Sequence, residues 1–131
     1  MNNLKLLTIA VILILMSCSE NKTNKAAAKV KAYIQGTYVR AFEGEYSKGN
    51  DTLVIEQPDK NNNYYTITHN VSYQKIRNKQ LLPVEYKTEN WTAIFNEQTN
   101  VLEEQKEGKL ISFLPDENAL LLGNSKFNKI Q

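Results

Sequence analysis

The sequence predicts an all-β domain: an antiparallel up-and-down meander of seven or eight strands, expected to close into a small barrel and preceded by one short helix. Three observations carry this. From Gly36 onward, short runs rich in Tyr, Val, Ile, Thr and Phe alternate with Gly, Asn, Asp and Pro clusters at roughly 8 to 12 residue spacing, the texture of hairpin-linked strands. No connector is long enough to hold the crossover helix that parallel neighbours require. A run of strands that buries one face must also dispose of two edges, and closing the sheet removes them.

The chain opens differently. Met1 to Ser17 has a short polar start with one cation, Lys5, then an apolar run from Leu6 to Met16 broken only by Thr8, and a small residue at its end. Those 11 apolar-run residues span roughly 16 Å as a helix, against the ~30 Å of a bilayer core, so residues 1–17 read as a secretory leader. Leu15-Met16-Ser17-Cys18 resembles the lipobox of bacterial lipoproteins, with an apolar residue three before the cut, a small one just before it and Cys just after. The resemblance implies a diacylated thiol at Cys18, removal of the leader and a protein held to a membrane by its acyl chains. Cys18 is the single cysteine, so no disulfide supports the fold. Cleavage removes Lys5, one of 16 basic residues, and leaves 114 residues with 15 bases against 14 acids. That suits one small domain, and the near-neutral charge, with no basic patch interleaved with aromatics, excludes nucleic acid as a partner.

Residues 18–25 read as a lipidated tether, because Ser19 to Lys25 is polar without apolar periodicity. Lys22, Lys25, Lys29 and Lys31 would each contribute about 1 kcal/mol beside an anionic leaflet. Ser19 is not the aspartate that commonly retains diderm lipoproteins in the inner membrane, so the resemblance implies the outer membrane, facing the periplasm. Residues 26–131 form the expected domain. Ala26 to Gln35 supplies its helix, with Ala27, Val30 and Ile34 on one face and Gly36 placed to end it. Strands are expected at about 36–46, 52–57, 64–74, 83–95, 101–106, 109–114, 119–123 and 126–130, separated by turn chemistry such as Lys48-Gly49-Asn50-Asp51 and Pro115-Asp116-Glu117-Asn118. In general shape, a helix followed by Gly36-Thr37-Tyr38 and a barrel looks like the lipocalin superfamily, although that family's opening signature would place Trp where this chain has Tyr38.

Alternation on the strand at 64–74 puts Tyr65, Ile67, His69, Val71 and Tyr73 on one face. Trp91, Ala93 and Phe95 form a second apolar stripe. Arg40 alternates with Tyr38 and Phe42 on a face expected to be buried, where a guanidinium either stacks on an aromatic such as Trp91 or meets an acidic ligand. His69 is the single histidine and is expected to be a hydrogen-bonded interior or rim residue. The acids cluster in hairpins (Glu103, Glu104, Glu107; Asp116, Glu117) rather than converging on a cleft, and no phosphate or calcium loop is present. No cofactor, metal site or catalytic group is expected. The chemistry therefore points to a non-catalytic, lipid-anchored envelope protein that takes a small amphipathic or lipid-like ligand through Arg40, Tyr65, His69, Tyr73 and Trp91. The alternative is a solid barrel that serves as an interaction, inhibitor or immunity-type subunit of an envelope complex.

Overall fold

Eight antiparallel strands close on themselves, with one helix across one end, in a computed structural model that describes the backbone from Glu20 to Gln131 and the side chains from Lys25 onward. The leader, Cys18 and Ser19 lie outside the described residues. In chain order the elements are α1 (Glu20–Ile34), β1 (Gly36–Glu43), β2 (Ser47–Glu56), β3 (Tyr64–Arg77), β4 (Gln80–Leu81), β5 (Glu85–Asn96), β6 (Val101–Glu104), β7 (Leu110–Leu114), β8 (Ala119–Leu122) and β9 (Ser125–Lys129), with a single 3₁₀ turn at Pro115–Glu117. Neighbours in sequence are neighbours in space, apart from β4, which pairs only with the end of β3. The ring closes where β9 pairs with β1.

Three boundaries differ from the sequence expectation, each for a local reason. α1 begins at Glu20, inside the segment read as a tether; the polar residues there contain no Gly or Pro, so a helix favoured by the three alanines propagates backward through them. The first hairpin turns at 44–46 rather than at Lys48 to Asp51, and Ser47 to Asp51 belong to β2. Gly49 is a strand residue because β3 crosses it too closely for a side chain: a Cβ there would lie 2.1 Å from the Ser72 carbonyl oxygen. Finally, β3 runs on to Arg77 and reverses through Asn78 and Lys79, both at positive φ, into the two-residue β4. This is the backbone of a type I′ turn without its usual glycine.

The inward residues of all eight strands form one core. Tyr38, Leu53, Ile55, Tyr65, Ile67, Ala93, Phe95, Leu102, Ile111, Leu120 and Phe127 are buried there almost completely. α1 stops the barrel at the end where β1 begins and β9 finishes. Ile34 is fully buried, and Val30 and Tyr33 pack against the same cluster. The Tyr38 hydroxyl shares its one proton between the carbonyls of Tyr33 (2.9 Å) and Ile34 (3.0 Å), and Lys129 Nζ donates to the first of them at 2.7 Å. Carbonyls at a helix C-terminus have no partner within the helix, so these donors both satisfy them and fix α1 to the barrel. Burial pushes the Tyr38 phenol far above its ordinary value, which keeps it a donor at all physiological pH. Tyr33, Tyr38 and Phe113 meet edge-on or tilted with centroids 6.0–6.2 Å apart, and the exposed Lys29–Asp116 and Lys31–Glu97 pairs add little to this.

Replacing Tyr38 by Phe keeps the ring and removes the hydroxyl. We expect a loss of about 1–2 kcal/mol in urea unfolding, together with faster hydrogen exchange in the last turn of α1; an unchanged midpoint would show that the hydroxyl does not secure the helix.

Candidate functional site

The strands are unequal. β1, β2, β3 and β5 have 8, 10, 14 and 12 residues, whereas β6 to β9 have 4, 5, 4 and 5. At the end away from α1 the four long strands therefore continue as a curved wall with nothing opposite. Where the inner face loses its opposing wall it meets solvent, and its residues change from apolar to charged. Register places Arg40 opposite Asp51, Asp51 opposite Val71, His69 opposite Glu89, and Val71 opposite Lys87, all facing inward just above the core.

These side chains form one connected layer. Asp51, only 5% exposed, is an ion-pair partner of Arg40: Arg40 Nε donates to Asp51 Oδ2 at 3.0 Å, and a second guanidinium nitrogen pairs with the same oxygen. The remaining guanidinium nitrogen donates to Ser125 Oγ at 3.0 Å, which ties the wall to the short-strand side. The flat cation also lies over Phe42 and Phe127, 5.4 and 5.3 Å from their centroids. Arg40 thus stacks on these two phenylalanines and not on Trp91, because the register carries Trp91 three strands away, opposite Ile67. The other Asp51 oxygen accepts from His69 Nε2 at 3.0 Å. His69 Nδ1 is buried without a hydrogen-bond partner among the described residues, and its nearest acid is Glu89 at 3.7 Å. The imidazole packs on Trp91 at 4.8 Å between centroids, and Lys109 Nζ covers the indole at 4.2 Å.

Of the residues singled out from sequence, Arg40, His69 and Trp91 join in this layer. Tyr65 lies deeper, fully buried opposite Ala93, and its hydroxyl has no partner among the described residues. Tyr73 lies higher, opposite Gly49 and Glu85, where it helps line an open groove of about 440 Å³ with Phe42, Gly49 and Val84. Cys18 lies outside the described residues. Two acids escaped the sequence reading. Asp51 sat in an apparent turn, so its inward orientation was hidden. Glu104 sat among hairpin acids expected to be solvated, yet it is 2% exposed because it lies opposite Ala93 on the inner face. Its carboxylate accepts the backbone N–H groups of Lys106 (2.7 Å), Glu107 (2.8 Å) and Lys109 (3.4 Å) and so shapes the β6–β7 turn. Burial opposes the charge, but these donors outweigh it and hold the carboxyl below its ordinary value.

The layer neutralises itself. Arg40 has its carboxylate, Asp51 has two donors, and Lys87 donates to Glu89 at 2.9 Å, which lowers the Glu89 carboxyl. No group of three His, Cys, Asp or Glu side chains among the described residues is arranged to hold a metal ion. The fold and site thus define a small closed antiparallel β-barrel with a plugged end and a charge-lined rim. Compared with family models, with curated proteins and with solved structures, the chain gave no match.

Asp51→Asn leaves Arg40 without its counter-charge in a part-buried site, and we expect it to cost about 3 kcal/mol of unfolding free energy. Arg40→Met/Asp51→Asn should lose less than the sum of the two single variants in the same denaturation experiment, because the residues act as a pair. Glu104 sets a pH dependence. Its folded form favours the carboxylate, so its contribution is present above the ordinary carboxyl value of 4.5 and disappears as pH falls below it. Glu104→Gln should therefore flatten the fall in melting temperature between pH 5 and about 3; an identical slope in the variant would exclude Glu104 as its source.

Proposed function

We propose that the protein is a bacterial envelope lipoprotein, anchored through acylated Cys18 in the outer membrane, whose lipocalin-like barrel is a non-catalytic binding module that docks its ligand on the outside of a solid core. The filled interior carries this proposal. The aromatics that a central cavity would leave free, Tyr38, Tyr65, Phe95 and Phe127, are packed against one another's neighbours with at most 2% exposure. The largest of the described grooves opens instead along the projecting wall, and its lining residues lie outside that cluster. A small amphipath inside the barrel, the other function considered from sequence, would have to displace these side chains, at a cost of several kcal/mol for a well-packed core.

The rim itself argues against catalysis. Arg40 and His69 Nε2 are taken up by Asp51, and Glu89 by Lys87, whereas a catalytic layer needs a charged group aimed at the reacting atom. Lys22 and Lys25, which follow Cys18 in the sequence at the start of α1, support residence at an anionic membrane surface.

The test is native mass spectrometry of the full chain purified from the envelope of a diderm bacterium. We expect the acylated polypeptide with no second small molecule, and we expect Cys18→Ser to move the protein from the membrane to the soluble fraction. Recovery of one amphipathic molecule per chain would overturn docking on the outside; a Cys18→Ser variant that stays in the membrane would overturn the anchor.

A further inference from the structure

We infer that His69 is a proton-operated clasp across the projecting wall: neutral, it holds Asp51 of β2 alone, and protonated, it also takes Glu89 of β5. The device is built from rim residues and does not depend on what the protein binds. It begins with the state of the imidazole. Asp51 is the partner of the Arg40 guanidinium and of His69 Nε2, the latter at 3.0 Å, and a carboxylate can only accept. Nε2 therefore carries a proton, and in the neutral ring Nδ1 is left with a bare lone pair. That nitrogen is buried without a hydrogen-bond partner among the described residues, and Glu89 Oε2 lies 3.7 Å from it. An acceptor thus faces an acceptor across a gap too long for a hydrogen bond.

A buried acceptor left unmatched is costly, and one proton corrects it. With a proton on Nδ1 the ring has two donors, one for each flanking carboxylate, and Asp51, His69 and Glu89 become a single chain through β2, β3 and β5. Histidine is the side chain that ordinarily takes up a proton between about pH 5 and pH 8. Glu89 is able to receive the new donor: the Lys87 ammonium beside it, 2.9 Å from Oε1, holds its carboxyl below the ordinary value, so it stays charged in that range. The contact with Lys87 uses Oε1, and Oε2 is the oxygen turned to the imidazole. Lys87 is on the same strand as Glu89, so their ion pair ties nothing across the sheet. A bond from His69 does, because register places His69 directly opposite Glu89.

Charged groups approach the ring from each element packed around it. β1 supplies Arg40, β2 supplies Asp51, and β5 supplies Lys87 and Glu89. On the short-strand side Lys109 covers the Trp91 indole and pairs with Glu107 at 2.7 Å, Glu104 is held by three backbone N–H groups, and Lys106 borders the same cleft. Arg40, Lys87 and Lys109 each have a carboxylate of their own, which limits their opposition to a new cation. The Trp91 ring, 4.8 Å from the imidazole between centroids, adds attraction for one. The clasp acts where the wall is least supported, since over residues 85–91 β5 is paired with β3 alone. Closing it in acid stiffens that edge, and opening it at neutral pH loosens the edge, with the fold unchanged.

The experiment follows the isotopically labelled, acylated full chain in micelles by NMR from about pH 8 to about pH 5. We expect the Nε2-protonated tautomer at the upper end, uptake of a proton by the ring within the range, and amide shifts at Lys87, Glu89 and Trp91 that share the ring's midpoint. Protection of those amides against hydrogen exchange, corrected for the intrinsic effect of pH, should rise at least about fivefold on the acid side. Emission from Trp91, the single tryptophan, should change with the same midpoint. Glu89→Ala removes the acceptor, so the ring should still titrate while the rise in protection is lost. Lys87→Ala leaves the acceptor in place and should keep the rise. A neutral ring protonated at Nδ1, a ring that stays neutral at the acid end, protection that does not rise, or the same rise in Glu89→Ala would each overturn the clasp.

Discussion

The fold depends on a narrow seam. β1 and β9 meet through only two residue pairs, Tyr38 with Lys129 and Val39 with Asn128, extended by the hydrogen bonds of Thr37 N–H to the Gln131 carbonyl and Ile130 N–H to the Thr37 carbonyl at 3.0 and 2.8 Å. Without it the sheet would have two free edges and the core one open side. Tyr38 stands at this seam and serves three neighbours at once: it is paired with Leu53 across β2, packed in the core, and bonded through its hydroxyl to the end of α1. Gly36 is required for the same join, because a Cβ there would lie 2.2 Å from the Gln131 carbonyl oxygen. Closure of the ring and plugging of its end are thus one structural event.

Unequal strand lengths turn this closed ring into something with a surface to offer. Four strands stop when the core is complete, and four continue. The continuation has no apolar interior to face, so its inner side is stabilised by ion pairs and hydrogen bonds around Asp51 rather than by burial alone. The Arg40–Asp51–His69 chain is structural, bracing the wall against β9 through Ser125 and against the core through Trp91. A wall braced from inside leaves its outer face free of that duty. The projecting part of β5 also has an open edge, since β5 pairs with β6 only from Ala93 to Asn96. The alternation of Glu85, Lys87 and Glu89 along that edge guards it against pairing with another chain.

Much of this was legible in the sequence, and what was not has physical reasons. Strict alternation on β3 and β5 displayed the inward faces of both strands correctly, because a half-buried strand must alternate. Arg40 was recognisable as unusual for the same reason, since it interrupts an apolar series between Tyr38 and Phe42. Its partner was not, because register between strands is a tertiary property: the pairing of β1 with β2 selects Asp51, and nothing local announces it. Gly49-Asn50-Asp51 has the composition of a turn, yet the glycine is there for the close approach of β3 at Ser72. Glu104 resembles its solvated neighbours in type and differs only in facing inward. The early start of α1 was hidden because polar residues show no periodicity even where they are helical.

A barrel with a solid core has no room within its ring. Xenon enters dry apolar cavities and little else, so diffraction from crystals of the full chain under xenon pressure tests this directly. We expect no xenon within the ring of Tyr65, Phe95, Leu120 and Phe127. An ordered atom there would reveal interior space that a small apolar ligand could occupy, and the barrel would then be a container rather than a solid support.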